Sequence, residues 1–414
     1  MAALLLSIDW CKKHKLPKPI AATVDHGLRK GSYAEAQRVG DWARKLGVEH
    51  HVLLLLWDKK PPASNIQAVA REARYNQIGS WARSKAIRHP IKTLITGHTL
   101  DDQAETFLMR LARGSGVDGL SGMAPVGPFP VHGHDDLTLM RPLLRFSHAR
   151  LVATLRAAKQ EWIEDPSNDA ERFTRVQMRA ARATLEAAGL TAERLADTAA
   201  NFRRAREAIE ASVEVLLTNG ATVSDWGYAL LRPSEFQKAA EEVALRALSR
   251  IIAMVGGEAY PPRFEAIQAA LSWLTGKGKP AGRTLGGCRL SQRDDGTVLV
   301  ARETAAIDAG LTLKPGEAAI WDGRFRVALA ASAPMSAIVS ALGAKGLALV
   351  GRGAVLPPVE PRLIAATAPA LWTGPKLTAA PLCRYLAVDA AEFGFSATFL
   401  GLAKGKGAAK GNSL

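Results

Sequence analysis

The feature that most constrains this chain is an alternation of strand and helix patterns between residues 20 and 113. Short apolar, partly β-branched runs predict strands at 20–24, 48–56 and 91–96. Each predicted strand is followed by a segment of helical period, at 33–46, 64–86 and 101–113. Strands that alternate with helices pair in parallel, so we predict an α/β fold with a Rossmann-like parallel sheet and helices on both faces.

Changes in composition along the rest of the chain predict further domains. Gly and Pro are frequent in 114–130, which predicts a loop, and arginine-rich helical patterns begin near residue 149. Beyond these, we expect strands near 228–231, 289–301, 318–321 and 325–331, and a helix at 334–342. The predicted domains are an α/β domain at 1–180, a mostly helical domain at 181–305, a small α+β domain at 306–400 and a disordered basic tail at 401–414.

Charge and cysteine content narrow the class of protein. The net charge of +15 favours a polyanionic partner, most commonly a nucleic acid, and the alternative is a basic surface kept for solubility alone. Cys11, Cys288 and Cys383 are far apart and match no zinc-ligand spacing, which suits a reducing cytosol. No apolar run approaches the roughly 20 residues that a membrane helix needs. We therefore expect a cytoplasmic protein without a membrane partner.

Polar residues follow two of the predicted strands at their carboxyl ends. Asp25 and His26 follow the first strand, and Gly97 and His98 follow the third. In sheets of this kind ligands bind beyond the carboxyl ends of the strands, so these residues are candidates for a site. The alternative for His26 is that it only satisfies hydrogen bonds of its loop.

The segment after the third strand has the densest set of acidic residues. Asp101 and Asp102 lie at a predicted helix start, where the helix dipole favours anions, so one interpretation is that the pair does no more than cap the helix. Asp102 and Glu105 are three residues apart, so they share a helical face and can hold an ammonium group or a Mg²⁺ ion. The opposite, apolar stripe of this helix is predicted to contain Ala104, Leu108 and Leu111.

Cations occur at two further places. Arg71 and Arg74 are three residues apart on the predicted helix 64–86, where they form either a pair of cations or an ordinary solvated face. Arg113 precedes a short glycine-rich turn that can cradle a phosphate.

In their order along the chain, these segments resemble the tRNA(Ile)-lysidine synthetases, which belong to the N-type ATP pyrophosphatase or PP-loop superfamily. The matching segments are VDHGLR at 24–29, NIQAVAREARY at 65–75, GHTLDDQAET at 97–106, RGSGVDGLSGM at 113–123, RPLL at 141–144 and DPSN at 165–168. Beyond about residue 180 the resemblance is much less specific.

The resemblance implies a tRNA-modifying ligase. In this family ATP adenylates the C2 oxygen of the wobble cytidine in the minor isoleucine tRNA with a CAU anticodon. The ε-amine of free L-lysine then attacks C2 and releases AMP, which leaves lysidine in the tRNA. The implied cofactors are ATP and Mg²⁺, and a homodimer is a further expectation because family members are often dimers.

The resemblance also assigns roles to residues of this chain. It implies that Asp102, Glu105, His98 and Arg113 are catalytic, with Asp102 also a metal ligand. It implies that the nucleotide is bordered by Val24, Asp25, His26 and Gly97. The RNA-binding residues are expected to include Arg71, Arg74, Arg172, Arg175 and Arg179.

One part of the family pattern is not found in the sequence. Members carry a phosphate-binding loop of the form SGGxDS after the first strand, and no such motif occurs here. Residues 1–6 are similar to the helix that follows this loop, so we expect the loop and first strand to lie upstream of Met1. The alternative is a truncated, non-catalytic tRNA-binding protein of the same family. A tRNA thiolase is disfavoured, because those enzymes use catalytic cysteines and the predicted nucleotide-binding domain contains only Cys11.

Overall fold

The computed structural model describes residues 1–27, 31–55, 66–84, 91–131, 133–134, 136–164, 182–258, 261–276, 282–388 and 390–401. The chain forms two compact units, of which the first is Met1–Glu207 and the second begins at Ala208. The predicted domain boundaries at 180 and 305 stay predictions. Among the described residues no helix is both long enough and apolar enough to cross a membrane.

The first unit has the predicted succession of helices and strands. Its helices are α1 Ala2–Lys13, α2 Ser32–Lys45, α3 Ile66–Ala82, α4 Leu100–Ala112, α5 Val117–Leu120, α6 His148–Ala157, α7 Arg182–Ala187 and α8 Ala192–Gly220, in which the boundary between the units falls. Its strands are β1 Ala21–Asp25, β2 His50–Leu54, β3 Thr93–Ile95, β4 Val126–Pro128 and β5 Thr138–Met140.

Parallel pairing, the basis of the predicted α/β class, is confirmed. Strand β1 runs parallel to β2, with Ala21 opposite His50, and β3 runs parallel to β5, with Thr93 opposite Thr138. The prediction of a loop throughout 114–130 is wrong, since this stretch contains the short helix α5 and the strand β4, which pairs antiparallel with β5. Glycine and proline content marked the turns but did not reveal the short elements between them.

One hydrophobic cluster connects the two small sheets of the first unit. It contains Leu53 of β2 and Leu139 of β5, with Val24 of β1 and Leu94 of β3 packed against it. Helix α3 contributes Tyr75, Ile78, Trp81 and Ala82 to the same cluster. The strands therefore share one core, although β1–β2 and β3–β5–β4 are hydrogen-bonded as separate sheets.

Helix α4 buries a stripe slightly different from the predicted one. Its buried residues are Leu100, Gln103, Ala104 and Phe107, which follow the helical spacing of one face. Ala104 and Phe107 pack against Leu120 of α5 and four residues of α8, whereas Leu111 is 51% exposed. The predicted stripe was wrong at Leu111, because these contacts lie against the earlier turns of α4 and leave the last turn in solvent.

The second unit combines short helices with antiparallel sheets. Its helices are α9 Pro233–Lys238, α10 Glu241–Gly256, α11 Phe264–Thr275, α12 Gly343–Leu349 and α13 Pro361–Ala366. Its strands are β6 Ala221–Val223, β7 Ala229–Leu231, β8 Arg283–Leu285, β9 Cys288–Gln292, β10 Val298–Arg302, β11 Leu311–Leu313, β12 Ala318–Trp321, β13 Phe325–Ala328, β14 Ala337–Ala341, β15 Pro369–Thr373, β16 Lys376–Ala380, β17 Tyr385–Leu386 and β18 Ser396–Phe399.

The first of these sheets, in the order β6-β7-β10-β9-β8, forms a core with α10 and α11. Helix α10 contributes the fully buried Leu248, Ile251, Ile252 and Val255. Burial of each such side chain stabilises the fold by about 1.5–3 kcal/mol, so this face fixes α10 to the sheet.

The remaining strands form sheets in the orders β11-β14-β15-β16-β17 and β12-β13-β18. The strands predicted at 318–321 and 325–331 are confirmed as β12 and β13. The helix predicted at 334–342 is wrong, because this segment contains the strand β14, and helix α12 begins only after it. Pairing of β14 with both β11 and β15, which buries Ala337 and Val339, outweighs the local helical pattern.

Candidate functional site

The carboxyl end of β1 places Asp25 and His26 as predicted, and the structure gives Asp25 a clear local role. Its side chain is only 7% exposed, and its Oδ1 accepts hydrogen bonds from the Gly27 N–H at 3.0 Å and the Ser32 hydroxyl at 2.6 Å. Since Ser32 begins α2, the carboxylate links the end of the strand to the start of the next helix. Asp25 thus shapes the turn that borders the expected nucleotide site.

His26 is held by a cation from α3. Arg74 Nε donates to His26 Nε2 at 3.0 Å, which requires an unprotonated ring nitrogen. Burial lowers the pKa of His26, the Arg74 charge lowers it further, and Asp25 opposes this in part. Arg71 lies elsewhere, over the Tyr75 ring at 5.1 Å from its centroid. The predicted pair of cations is therefore divided between two environments.

The carboxyl end of β3 continues into Gly97, His98 and the first turn of α4. Thr96 Oγ1 and His98 Nδ1 are 2.9 Å apart. Thr99 and Asp102 form a reciprocal capping box, in which Asp102 Oδ2 accepts from the Thr99 N–H and hydroxyl, both at 2.7 Å. Capping, the alternative considered for Asp102 from the sequence, is thus a real role of this residue.

The two neighbouring carboxylates, those of Asp101 and Glu105, have different surroundings. Asp101 Oδ2 accepts the His148 N–H at the start of α6 at 2.7 Å. Glu105 is half-buried on α4, one turn beyond Asp102. In the described part of the chain no group of three or more acidic, histidine or cysteine side chains lies together to hold a metal ion. One or two carboxylates suffice for Mg²⁺ only when phosphate oxygens and waters complete its shell.

The segment after α4, which begins at the C-cap Arg113, is fixed by hydrogen bonds from side chains. Gln103 on α4 exchanges two hydrogen bonds with the Met123 backbone, at 2.9 and 2.7 Å. Gly122 has a positive φ of +63°, and a Cβ there would lie 2.9 Å from the Gln103 side chain, so glycine is required.

Three arginines donate to carbonyls of α5 and of the loop that follows it. Arg110 on α4 reaches Gly119 O at 2.8 Å, Arg141 after β5 reaches Ala124 O at 2.9 Å, and Arg203 on α8 reaches Met123 O at 3.1 Å. We call Arg110, Arg141 and Arg203 the arginine cluster. Sequence reasoning assigned no site role to Arg110 or Arg141, although Arg141 stands in the RPLL segment, and it placed Arg203 among the arginine-rich helices expected to follow the tRNA backbone.

The arginine cluster is electrostatically unfavourable as it stands. Burial is the main cause that lowers the pKa of all three guanidinium groups. Neighbouring cations lower the pKa values further, chiefly Arg206 beside Arg110 and Arg71 beside Arg141. Tyr75 opposes this for Arg141, and Glu207 opposes it for Arg203. These groups stay protonated at neutral pH, so the shifts indicate a strained concentration of positive charge.

The other predicted site residues are placed only in part. Val24 is a half-buried residue of β1. Gly97 lies next to α1, since a Cβ added to Gly97 would be 3.6 Å from Ala3 Cβ. Arg172, Arg175 and Arg179, together with the DPSN segment, lie outside the described residues.

Comparison with known proteins identifies the family. A family model for the PP-loop domain, an ATP-binding domain, matches residues 1–183. The chain is 40% identical to a tRNA(Ile)-lysidine synthase of Ruegeria pomeroyi over 380 residues, which cover 92% of this chain and 85% of that protein. It is 34% identical to a tRNA(Ile)-lysidine synthase of Wolbachia pipientis wMel over 340 residues, 82% of this chain and 76% of that protein.

A solved structure, the U34-tRNA thiolase NcsA from Methanococcus maripaludis, covers 50% of this chain and 68% of its own with 14% identity and a TM-score of 0.38. That likeness is too slight to support an inference. The identity over nearly the whole chain, together with the PP-loop match, shows that this protein belongs to the tRNA(Ile)-lysidine synthase family.

Proposed function

We propose that this protein ligates free lysine to C2 of the wobble cytidine in the isoleucine tRNA with a CAU anticodon. The observation that carries the proposal is the 40% identity to a tRNA(Ile)-lysidine synthase over 92% of the chain. The protein is then an ATP-dependent ligase that produces lysidine, AMP and pyrophosphate. No observation favours the non-catalytic alternative.

The chemistry has two steps that balance. The C2 oxygen of cytosine attacks the α-phosphorus of ATP and expels pyrophosphate. The lysine ε-amine then forms a bond to C2, AMP leaves with the former C2 oxygen, and the nitrogen loses a proton. With a pKa near 10.4, about 0.1% or less of this amine is neutral at pH 7, so the site has to favour its deprotonation.

The residues at the strand ends fit this chemistry by position. Ligands of parallel sheets bind at the carboxyl edge, where the nucleotide would meet Val24, Asp25, His26 and Gly97. We assign His98 a place near the phosphates.

We assign Asp102 and Glu105, with Arg113, to the reacting groups. The two carboxylates would seat the lysine ammonium group, since they lie one turn apart on α4. Asp102 Oδ2 is engaged in the capping box, and its second oxygen is the one suited to Mg²⁺. The ion when bound would spread the charge that develops on the departing pyrophosphate.

The remaining parts of the proposal concern the binding partners and the cellular location. Arg71, Arg74 and the arginines at 172, 175 and 179 would contact the tRNA backbone. A homodimer is part of the proposal and is tested by sedimentation. The three cysteines of the chain are free thiols, which suits a cytoplasmic location.

The decisive test is incorporation of radiolabelled lysine into unmodified isoleucine tRNA with ATP and Mg²⁺. We expect label in that tRNA and none in the methionine tRNA, which carries the same anticodon. Tight binding of the isoleucine tRNA without any label would support the non-catalytic alternative instead.

Asp102→Asn separates the charge of this residue from its capping role. Asparagine retains an oxygen that can accept from Thr99, so the melting temperature should change little. Loss of the carboxylate should lower kcat for lysine incorporation about 100-fold or more. Asp101→Asn is the matched control, because Asp101 caps α6 through His148 and has no assigned catalytic role. Equal activity of the two variants would remove Asp102 from the reaction.

A further inference from the structure

The arginine cluster converges on one short stretch of backbone. Arg110 Nη1 donates to Gly119 O at 2.8 Å and to Gly122 O at 3.3 Å. Arg203 and Arg141 donate to the next two carbonyls, those of Met123 and Ala124. All four acceptors lie within residues 119–124, and the charge of Arg110 is one of the causes that lower the pKa of Arg141.

The sheet places this cluster at the edge where the substrates are expected. Arg141 directly follows β5, and β5 is parallel to β3. The Thr96 N–H donates to Met140 O at 2.9 Å, so the carboxyl ends of β3 and β5 lie side by side. Arg141 therefore lies at the same carboxyl edge as Gly97 and His98.

No carboxylate forms an ion pair with the cluster among the described residues, although the charge of Glu207 opposes part of the lowering of the Arg203 pKa. Within the described residues no Asp or Glu oxygen lies at ion-pair distance from Arg110, Arg141 or Arg203, and the pair formed beside them, Arg206 with Asp118, has an N–O distance of 4.0 Å. Arg141 Nε is buried and has no hydrogen-bond partner in the part of the chain that the structure describes. Carbonyls satisfy single N–H groups, but a guanidinium carries five donors and a full charge.

We infer that the arginine cluster, with Arg141 at its centre, is a phosphate-binding site that orients a substrate at the carboxyl edge of the sheet. Planar guanidinium groups suit phosphate because each can donate two parallel hydrogen bonds. The glycine-containing loop that they hold, fixed also by Gln103, keeps their positions before the ligand arrives. The inference rests on the proposed function, because that function supplies two phosphate-bearing substrates.

The phosphate has two possible sources, the RNA backbone and ATP, and binding measurements separate them. We would compare the wild type, Arg141→Gln and Arg141→Lys, using labelled isoleucine tRNA at several salt concentrations and, separately, ATP with Mg²⁺. Arg44→Gln is the matched control, because Arg44 is also a first-unit arginine, but its side chain is 79% exposed and paired with Asp41. Thermal melting of each variant checks that it is folded, and Arg110→Lys replaces any variant that is not.

A contact to the RNA backbone predicts that Arg141→Gln weakens tRNA binding about tenfold and reduces the slope of log K against log salt by about one, with ATP binding unchanged. A contact to ATP predicts about a tenfold loss of nucleotide affinity with an unchanged salt slope for tRNA. Either result supports the phosphate site. Arg141→Lys should lose less affinity than Arg141→Gln, because lysine keeps the positive charge but cannot donate two parallel hydrogen bonds.

Affinities for both substrates within twofold of the wild type, in all arginine-cluster variants, would overturn the inference. The outcome is distinguishable from a failure of the proposed function. A wild type that forms lysidine, with variants that retain its KM and kcat, would refute the phosphate site alone. A wild type that forms no lysidine, with Arg141→Gln that loses phosphate binding, would refute the function alone.

Discussion

Each unit of the protein contains a group of arginines, half-buried in the first unit and fully buried in the second. In the second unit Asp322 lies between Arg302 and Arg324, with N–O distances of 2.6 Å to each. All three side chains are at most 3% exposed. In the first unit the arginine cluster has backbone carbonyls as acceptors and no carboxylate at ion-pair distance among the described residues.

The two groups differ in whether a carboxylate forms an ion pair with the arginines. A buried cation destabilises a protein unless an opposite charge and hydrogen bonds compensate it. Asp322 supplies that charge, and Thr367 O accepts from Arg324 at 3.0 Å, although Arg324 Nη1 has no hydrogen-bond partner among the described residues. The arginine cluster is half-buried and has no such ion pair among the described residues, which agrees with a role in binding rather than in stability.

The largest effect should follow loss of Asp322, the carboxylate that the two buried arginines of the second unit share. Asp322→Asn leaves two guanidinium groups buried without a counter-charge, which should lower the free energy of unfolding by about 3–5 kcal/mol. Urea denaturation of the full chain, followed by circular dichroism, measures this change. Asp294→Asn, at an exposed turn of the same unit, is the control and should remain close to the wild type. A loss of less than about 1 kcal/mol for Asp322→Asn would contradict the comparison.

A direct comparison of the two groups should give a smaller difference. Arg324→Met removes a charged hydrogen bond to Asp322, which should cost about 2 kcal/mol of stability. Arg141→Met removes a cation that has no counter-charge, so the stability should change by less than about 1 kcal/mol and can even rise. The same denaturation experiment tests both. If Arg141→Met were the more destabilising variant, the arginine cluster would have to be regarded as structural.

Local patterns in the sequence predicted the parts of the first unit that depend on neighbouring residues. The strands around Val24 and Leu94, the helices after them and the polar residues at the strand ends follow from periodicity and position alone. The same reasoning could not decide between a capping and a catalytic role for Asp102. The structure shows the cap, and catalysis by this residue stays a prediction.

Features that depend on contacts between residues far apart in the chain could not be predicted from the sequence. Arg203 meets Met123 across 80 positions, and Arg302 meets Asp322 across 20, so no local pattern relates these residues. Strand β14 was predicted as a helix because its partners β11 and β15 come from other parts of the chain. In each case tertiary packing determines the structure of a segment whose own sequence permits several.

The smallest effect concerns a third arginine environment, in which Arg74 donates to the neutral imidazole of His26. The pKa of His26 is lowered from 6.5 by burial and by Arg74, so the unfolded chain takes up a proton more readily than the folded one. Stability is therefore fully present above about pH 6.5 and is lost as the pH falls toward the lowered pKa. His26→Gln keeps an oxygen that can accept from Arg74 but cannot titrate, so its melting temperature should vary less between about pH 5 and pH 7. Identical pH profiles for the two proteins would mean that protonation of His26 does not oppose folding, and Arg74 would then not depend on a neutral partner.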